Sequence, residues 1–343
     1  MSSAIDTLVA GLRSSRGLAG KRDIAAVVGR LGLNGDSLVP VGDDCAAIPD
    51  PGGQGWLLLA IEGFQPAFVE RDPWFAGWCG VMVNLSDIHA MGGRPLAVVD
   101  ALWSRGGSAL DELLAGMRAA AAAYRVPIAG GHSNLSSSGE QLAVAVLGRA
   151  SSLLTSFDAR PGDLLIAAID LRGAYRAPFL NWNCSTGVAP ERLRADLELL
   201  PVLAEQGLCR AAKDISQAGV LGTAVMLLEC SGCGAEIDVD RVPRPAGVDD
   251  ADWLLATFPS FGFLLAVAPQ QADTVLQRFR ARDIGCAVIG RCDDTPSLRL
   301  RSGERSCVAW RFPEDLLTGC APARCSRGLS SRARSATVEM RYA

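Results

Sequence analysis

Residues 84–99 read NLSDIHAMGGRPLAVV, and the reading of this stretch decides the architecture. Asn84–Met91 closes a run of small and apolar residues that begins at Pro73 and repeats at helical spacing. Gly92-Gly93 stops the helix, and the apolar run Leu96–Leu102 follows as a strand. Helix, glycine turn and strand in direct succession are the repeating unit of an α/β domain.

The alternation extends in both directions. Upstream, Ile5–Leu12 and Asp23–Leu31 have helical spacing, and the acidic loop Gly42-Asp43-Asp44 lies between the strand-like pieces Leu38–Val41 and Cys45–Ile48. Pro49-Asp50-Pro51-Gly52-Gly53 is a turn, and Trp56–Ile61 is a strand that Glu62-Gly63 interrupts with a charge. Downstream, Leu110–Tyr124 is a helix, Val126–Ala129 a short strand broken by Gly130-Gly131-His132-Ser133, and Leu142–Leu147 a further strand. A second alternation starts near Ser156: Leu164–Ile169 as a strand, Pro190–Glu205 and Gly219–Cys230 as helices, Phe261–Val267 and Ala287–Ile289 as strands, with helix Gln270–Arg282 between those two. Uneven strand spacing, with acidic loops in only some connections, fits two successive α/β halves better than one barrel of eight units. The expected fold class is α/β (α+β) in two domains, residues 1–155 and 156–320, followed by a disordered basic tail over 321–343 that is rich in Ser and Arg.

Composition limits the function classes. With 343 residues, 49% of them hydrophobic, the chain supports two cores. A net charge of −4 gives no basic surplus for a nucleic-acid backbone. Eleven scattered cysteines point to reduced thiols in a cytoplasmic protein. No apolar run has the length of a signal-peptide core at the start or of a membrane span later, so neither secretion nor membrane spanning is expected.

Chemistry is concentrated in carboxylates at strand ends and loop starts: Asp43, Asp44, Glu62, Asp87 and Asp214. Each adjoins an apolar segment, where an unpaired charge is expensive to desolvate. Oxygens from several loops suit Mg²⁺ shared with substrate phosphates; taken singly, the same residues serve as turn or helix caps or as Arg partners. Gly130-Gly131 can bring backbone N–H groups to an anion or be an ordinary turn. His132 beside them is a general base, a metal neighbour or a turn residue, and His89 on its Ala-rich helix reads as packing. Asn181, Trp182 and Asn183, in NWNCSTG, combine an aromatic face with two amides, suited to a substrate pocket or to a plain surface loop. Cys230 and Cys233 have a CxxC spacing without a second pair or clustered His. No Walker-type loop, GxSxG or helix-opening GxGxxG is present.

Four motifs in order, VGDDCAAIP (41–49), NLSDIHAMGGRPLAVV (84–99), AGGHSNLSSSGE (129–140) and KDISQAGVLGTAVMLLECSGCGAEIDVDRVP (213–243), resemble the aminoimidazole ribonucleotide (AIR) synthetase superfamily over about residues 20–310. That group includes thiamine-monophosphate kinase and selenophosphate synthetase. The resemblance implies an N-terminal domain that pairs into a dimeric β-barrel, a C-terminal α/β domain, and an ATP site between domains. It implies Asp43, Asp44, Glu62, Asp87 and Asp214 as metal ligands, with Lys21, Gly130, Gly131, Asp87 and Asp214 toward ATP. Three positions depart from the kinase pattern: Glu62 stands where the strand usually ends in Asp, His132 stands where GGDT has Asp, and Gln217 stands at the second Asp of DISDG.

The functional expectation is an ATP- and Mg²⁺-dependent enzyme, kinase or ligase/cyclase, that phosphorylates an oxygen of a small molecule as product or activated intermediate. His132, Asp87 and Asp214 are its expected catalytic residues, and a homodimer its expected assembly. A different class, an ATP-binding maturation or scaffold partner with little turnover, is the alternative; a zinc or thiol protein built on Cys230 and Cys233 ranks last.

Overall fold

The computed structural model describes residues 4–33 and 38–320; the basic tail expected at 321–343 lies outside them. Its elements are, in chain order, α1 (Ala4–Arg13), α2 (Arg16–Leu31), β1 (Ala46–Pro49), β2 (Trp56–Phe64), α3 (Pro66–Arg71), α4 (Pro73–Ala90), β3 (Arg94–Trp103), α5 (Ser108–Tyr124), β4 (Ile128–Asn134) and β5 (Gln141–Ala150). There follow β6 (Leu164–Ile169), β7 (Ala174–Arg176), β8 (Asn181–Asn183), α6 (Pro190–Leu197), α7 (Leu199–Glu205), β9 (Ala211–Asp214), α8 (Gly219–Ser231), β10 (Gly234–Asp238), α9 (Asp250–Leu255), β11 (Gly262–Val267), α10 (Ala272–Arg280), β12 (Gly285–Asp293), β13 (Ser297–Ser302) and β14 (Arg305–Arg311).

The first sheet has the order β1-β2-β5-β3-β4, antiparallel except for β3 and β4, which run parallel across the helical crossover α5. α4 lies on one face, buried along nearly its whole length between that sheet and α5. Pro73 opens the helix at its first turn, where a missing N–H is harmless. Gly92 closes it with φ +76°, its N–H donating to His89 O, while the Gly93 N–H returns to Ile88 O. A side chain at Gly92 would also meet Ala204 at 2.8 Å, so glycine is required there by conformation and by packing.

Alternation along β2, β3 and β5 turns Leu58, Ala60, Val98, Leu102, Leu142, Val144 and Val146 toward α4. The opposite face exposes Ile48, Leu59, Ile61, Val99 and Leu147. Among the described residues this sheet is open, with β1 and β4 as edges; no closed barrel is formed within the chain.

The second sheet has the order β14-β13-β10-β12-β6-β11-β9. β6 and β11, each with a strand on either side, are apolar along almost their full length because both faces are covered. On one face the core joins α8, α9 and α1; on the other it joins α7 and α10. Ile5, Leu8, Leu12 and Leu18 pack into this second core, although they precede the first sheet in sequence.

The chain departs from sequence expectation in three places. Leu38–Val41 is not a strand, so the acidic loop precedes β1 instead of joining two strands. Gly130–Ser133 does not break β4 but continues it, because β3 supplies a parallel ladder. Asp214 ends a strand, β9, and is not a helix cap.

Candidate functional site

Three carboxylates from three elements converge. Asp44 comes from the loop before β1, Asp87 from the last turn of buried α4 and Asp214 from the end of β9, and one oxygen of each lies within 4.8 Å of the others. The glycine stop after α4 and the burial of the helix fix Asp87, which is 5% exposed and whose Oδ2 has no hydrogen-bond partner. An orphaned buried carboxylate oxygen calls for compensation from elsewhere.

Electrostatics agree with the geometry. Burial, then repulsion from Asp214, Glu62 and Asp44, pushes the Asp87 carboxyl well above its ordinary range. Burial and then Asp44 raise Asp214 to about 8. Glu62, on the α4 side of β2, is raised by burial and by Asp44, with Lys21 and Lys213 opposing. A set of hard oxygen donors with one oxygen unpaired and the carboxyls held toward their neutral forms fits Mg²⁺.

Asp43 is turned elsewhere. Its carboxylate accepts from the Ser156 N–H at 2.7 Å and the Ser156 hydroxyl at 2.6 Å, which fixes the loop to the start of the second half of the chain. Burial lifts its carboxyl to about 6. On the other side of the loop, Gly42 (φ +125°) packs against Cys320, whose Cβ would be 2.3 Å from a Cβ at residue 42. Buried Glu229 of α8 holds that C-terminal segment by accepting from the N–H groups of Leu317, Thr318 and Gly319 and from the Thr318 hydroxyl.

Lys213 was not singled out from sequence. Its ammonium is ion-paired to Asp44, and both side chains are 6% exposed. Burial works against the charge, but Asp44 and Asp43 outweigh it and raise the lysine above its ordinary value. The available signal was a lysine directly before Asp214 in the short segment Ala211–Ile215, whose other three residues are apolar. Ser156 was missed likewise, because a loop serine carries no pattern.

Lys21 reaches the site from α2. A Cβ at Gly17 would lie 2.7 Å from Gln217 O, so glycine lets α2 approach the turn before α8; Leu18 packs there beside Gly222. Lys21 follows one turn later, and its charge acts on both Glu62 and Asp214. Gln217 itself is exposed.

The remaining expected residues lie apart from the trio. Across the sheet, Glu62 is in register with Val144, Asp100 and Gly131, and Gly63 with Ala143, Ala101 and His132. His132 is therefore three strands from β2, about 14 Å, on the face opposite Glu62; it is exposed, with its ring 6.1 Å from that of Trp103. Gly131 is needed where the Asp100 carboxylate approaches to 2.4 Å from a notional Cβ. Trp182 is buried edge-on between Tyr175 and Trp253 and donates to Asp170 O. Asn183 closes a local turn with Ser185 and Thr186, and Asn181 bridges to Phe258. His89 is buried with Nδ1 2.6 Å from Leu85 O, its pKa lowered by burial to about 4.

The CxxC cysteines face different neighbours. The Cys230 thiol points to Gly42 O at 3.6 Å, while Cys233 packs toward Ala159 and Cys292.

Comparison with known proteins bears on the family and the fold. Residues 42–150 match the AIR synthase related protein, N-terminal domain, and residues 173–303 match the corresponding C-terminal domain. An uncharacterised protein of Synechocystis is 48% identical over 91% of this chain and 97% of its own length. In structure, Thermotoga maritima PurL complexed with ADP is similar with a TM-score of 0.67 at 23% identity, over 82% of this chain and 46% of that one; the chain spans about half of that protein. AaThiL complexed with AMPPCP and TMP is similar with a TM-score of 0.64 at 18% identity, over 84% of this chain and 96% of that one. The two domain matches cover most of the sequence, and the acidic loop, the NLSD helix and strand β9 lie within them: the chain belongs to the AIR synthase related proteins.

Proposed function

We propose that the chain is an ATP- and Mg²⁺-dependent enzyme that phosphorylates an oxygen of a small molecule, as its product or as an activated intermediate. The observation that carries this reading is the meeting of Asp44, Asp87 and Asp214, one of whose oxygens is buried without a partner. That PurL has been solved with ADP and AaThiL with AMPPCP and TMP supports a nucleotide as one ligand.

In this reading Asp44, Asp87 and Asp214, with Glu62 behind them, hold Mg²⁺, and Asp43 holds the loop in place. The ion would supply positive charge to the phosphate oxygens, the main electrostatic need of phosphoryl transfer. Lys21, at the rim of the cluster, contacts phosphate. Asn181 and Asn183 are proposed at the substrate side, with Trp182 as their buried support.

Gly130 and His132 are in register with the exposed face of the first sheet, and Gly131 lies between them on the edge strand β4. The apolar residues of that face are proposed to pair with a second copy of the chain, which makes the expected dimer. His132 would then act in proton transfer across that pairing, since the sheet separates it from its own chain's Asp87.

Calorimetric titration with ATP, with and without Mg²⁺, on the wild type and Asp87→Asn tests the reading, with phosphorus NMR of the same samples to identify products. Mg²⁺-dependent binding that the substitution removes is expected. Full ATP turnover by Asp87→Asn would sink the metal assignment.

A further inference from the structure

Of thirty-three basic residues in this chain only two, Lys21 and Lys213, are lysine; all the others are arginine. Arginine makes the exposed ion pairs, such as Arg94 with Glu198 and Arg305 with Asp6. Both lysines act on the same carboxylates: each bears on Glu62 and on Asp214. A composition that uses arginine almost everywhere keeps lysine only at the acidic site, so the ammonium group itself matters there.

The physical difference is shape. Guanidinium is a broad planar fork, whereas ammonium is a compact point charge with three donors, close in form to a small bound cation. β9 carries Lys213 into the cluster from a strand whose four residues are all buried, and its partner Asp44 is one of the three converging carboxylates.

We propose that Lys213 is a resident cation of the site, occupying at Asp44 a position that a cluster of this many carboxylates would otherwise give to a divalent ion. The site then takes metal chiefly through Asp87 and Asp214, with Lys213 remaining in place beside it. This inference rests on the Mg²⁺ reading above and specifies how the positive charge is divided.

The test is Mn²⁺ binding to the full chain, followed by loss of the free-ion EPR signal, for the wild type and Lys213→Met. The variant is expected to bind one more Mn²⁺ per chain, or to bind with an affinity at least tenfold higher. Equal stoichiometry and affinity in both would overturn this inference alone; binding to neither would overturn the metal reading and this inference with it. Should the variant fail to fold, the wild type labelled with ¹⁵N-lysine answers instead, because only two side-chain ammonium signals exist. On addition of Mg²⁺ the Lys213 signal is expected to shift while staying protected from solvent. Its loss to exchange would mean that the ion evicts the lysine, and the proposal would be wrong.

Discussion

Replacing Asp87 by asparagine should strengthen the metal-free fold while removing its response to metal. Asp87 lies within 4.8 Å of Asp44 and Asp214 oxygens, and a pair of full charges at that spacing repels by about 3.5 kcal/mol at an effective dielectric of about 20. Lys213 already neutralises much of Asp44, and the raised carboxyl of Asp87 means that protonation relieves part of the strain. The remaining gain for Asp87→Asn is about 1–3 kcal/mol near pH 8. In the other direction, a ligand at a hundred times its Kd stabilises the wild type by about 2.7 kcal/mol, and the variant should lose most of that increment. Urea denaturation at matched pH, with and without saturating MgCl₂, measures both quantities in one pair of proteins. A variant less stable than the wild type without metal, or equally stabilised by Mg²⁺, would refute the account of a repulsive cluster awaiting a cation.

Three further outcomes are expected. Asp43, raised to about 6, and Asp214, raised to about 8, bind protons more tightly in the folded chain than in the unfolded one, where Asp titrates near 3.8. Metal-free stability should therefore fall as pH rises from about 4 to about 8, and saturating Mg²⁺ should flatten that fall; a flat or rising metal-free profile in urea midpoints contradicts this. Ser156→Ala removes the hydroxyl donor from the Asp43 carboxylate and leaves the backbone N–H in place; it should cost about 1–3 kcal/mol by denaturant unfolding at neutral pH, with no effect counting against the role given to the Ser156 hydroxyl. Gly17→Val drives a side chain into the backbone of Gln217 and Ala218, should cost about 1–3 kcal/mol, and should weaken ATP binding in calorimetry by moving Lys21; unchanged affinity would leave Lys21 without a phosphate role.

Much of the fold was legible because its strongest signals are local. The helical spacing of Pro73–Met91 and its glycine stop survive in α4, and the apolar runs Leu164–Ile169 and Phe261–Val267 are the buried central strands. What was not legible depends on partners distant in sequence. Gly130–Ser133 reads as a break but extends as an edge strand because β3 lies alongside, and the contribution of α1 to the second core is invisible from its own amphipathic pattern. At the site, the carboxylates stood out because charge beside apolar sequence is conspicuous. Which of them meet was a matter of tertiary structure: Asp43 points to Ser156, while Asp44 joins Asp87 and Asp214. Lys213 escaped notice because a lysine beside an aspartate reads as a solvated pair until burial is known.

The anchoring of Gly42 by the segment that Glu229 holds has a bearing on the order of synthesis. The acidic loop leaves the ribosome early, whereas Leu317–Cys320 is made after both sheets are complete in sequence. At roughly 5–20 residues per second this interval is on the order of tens of seconds, during which Gly42 lacks its neighbour Cys320, although Ser156 and Lys213 become available to Asp43 and Asp44 earlier. A nascent chain thus acquires the packing around Gly42 last, and translation arrested short of residue 317 yields both sheets with the acidic loop held by Ser156 and Lys213 but not by the C-terminal segment.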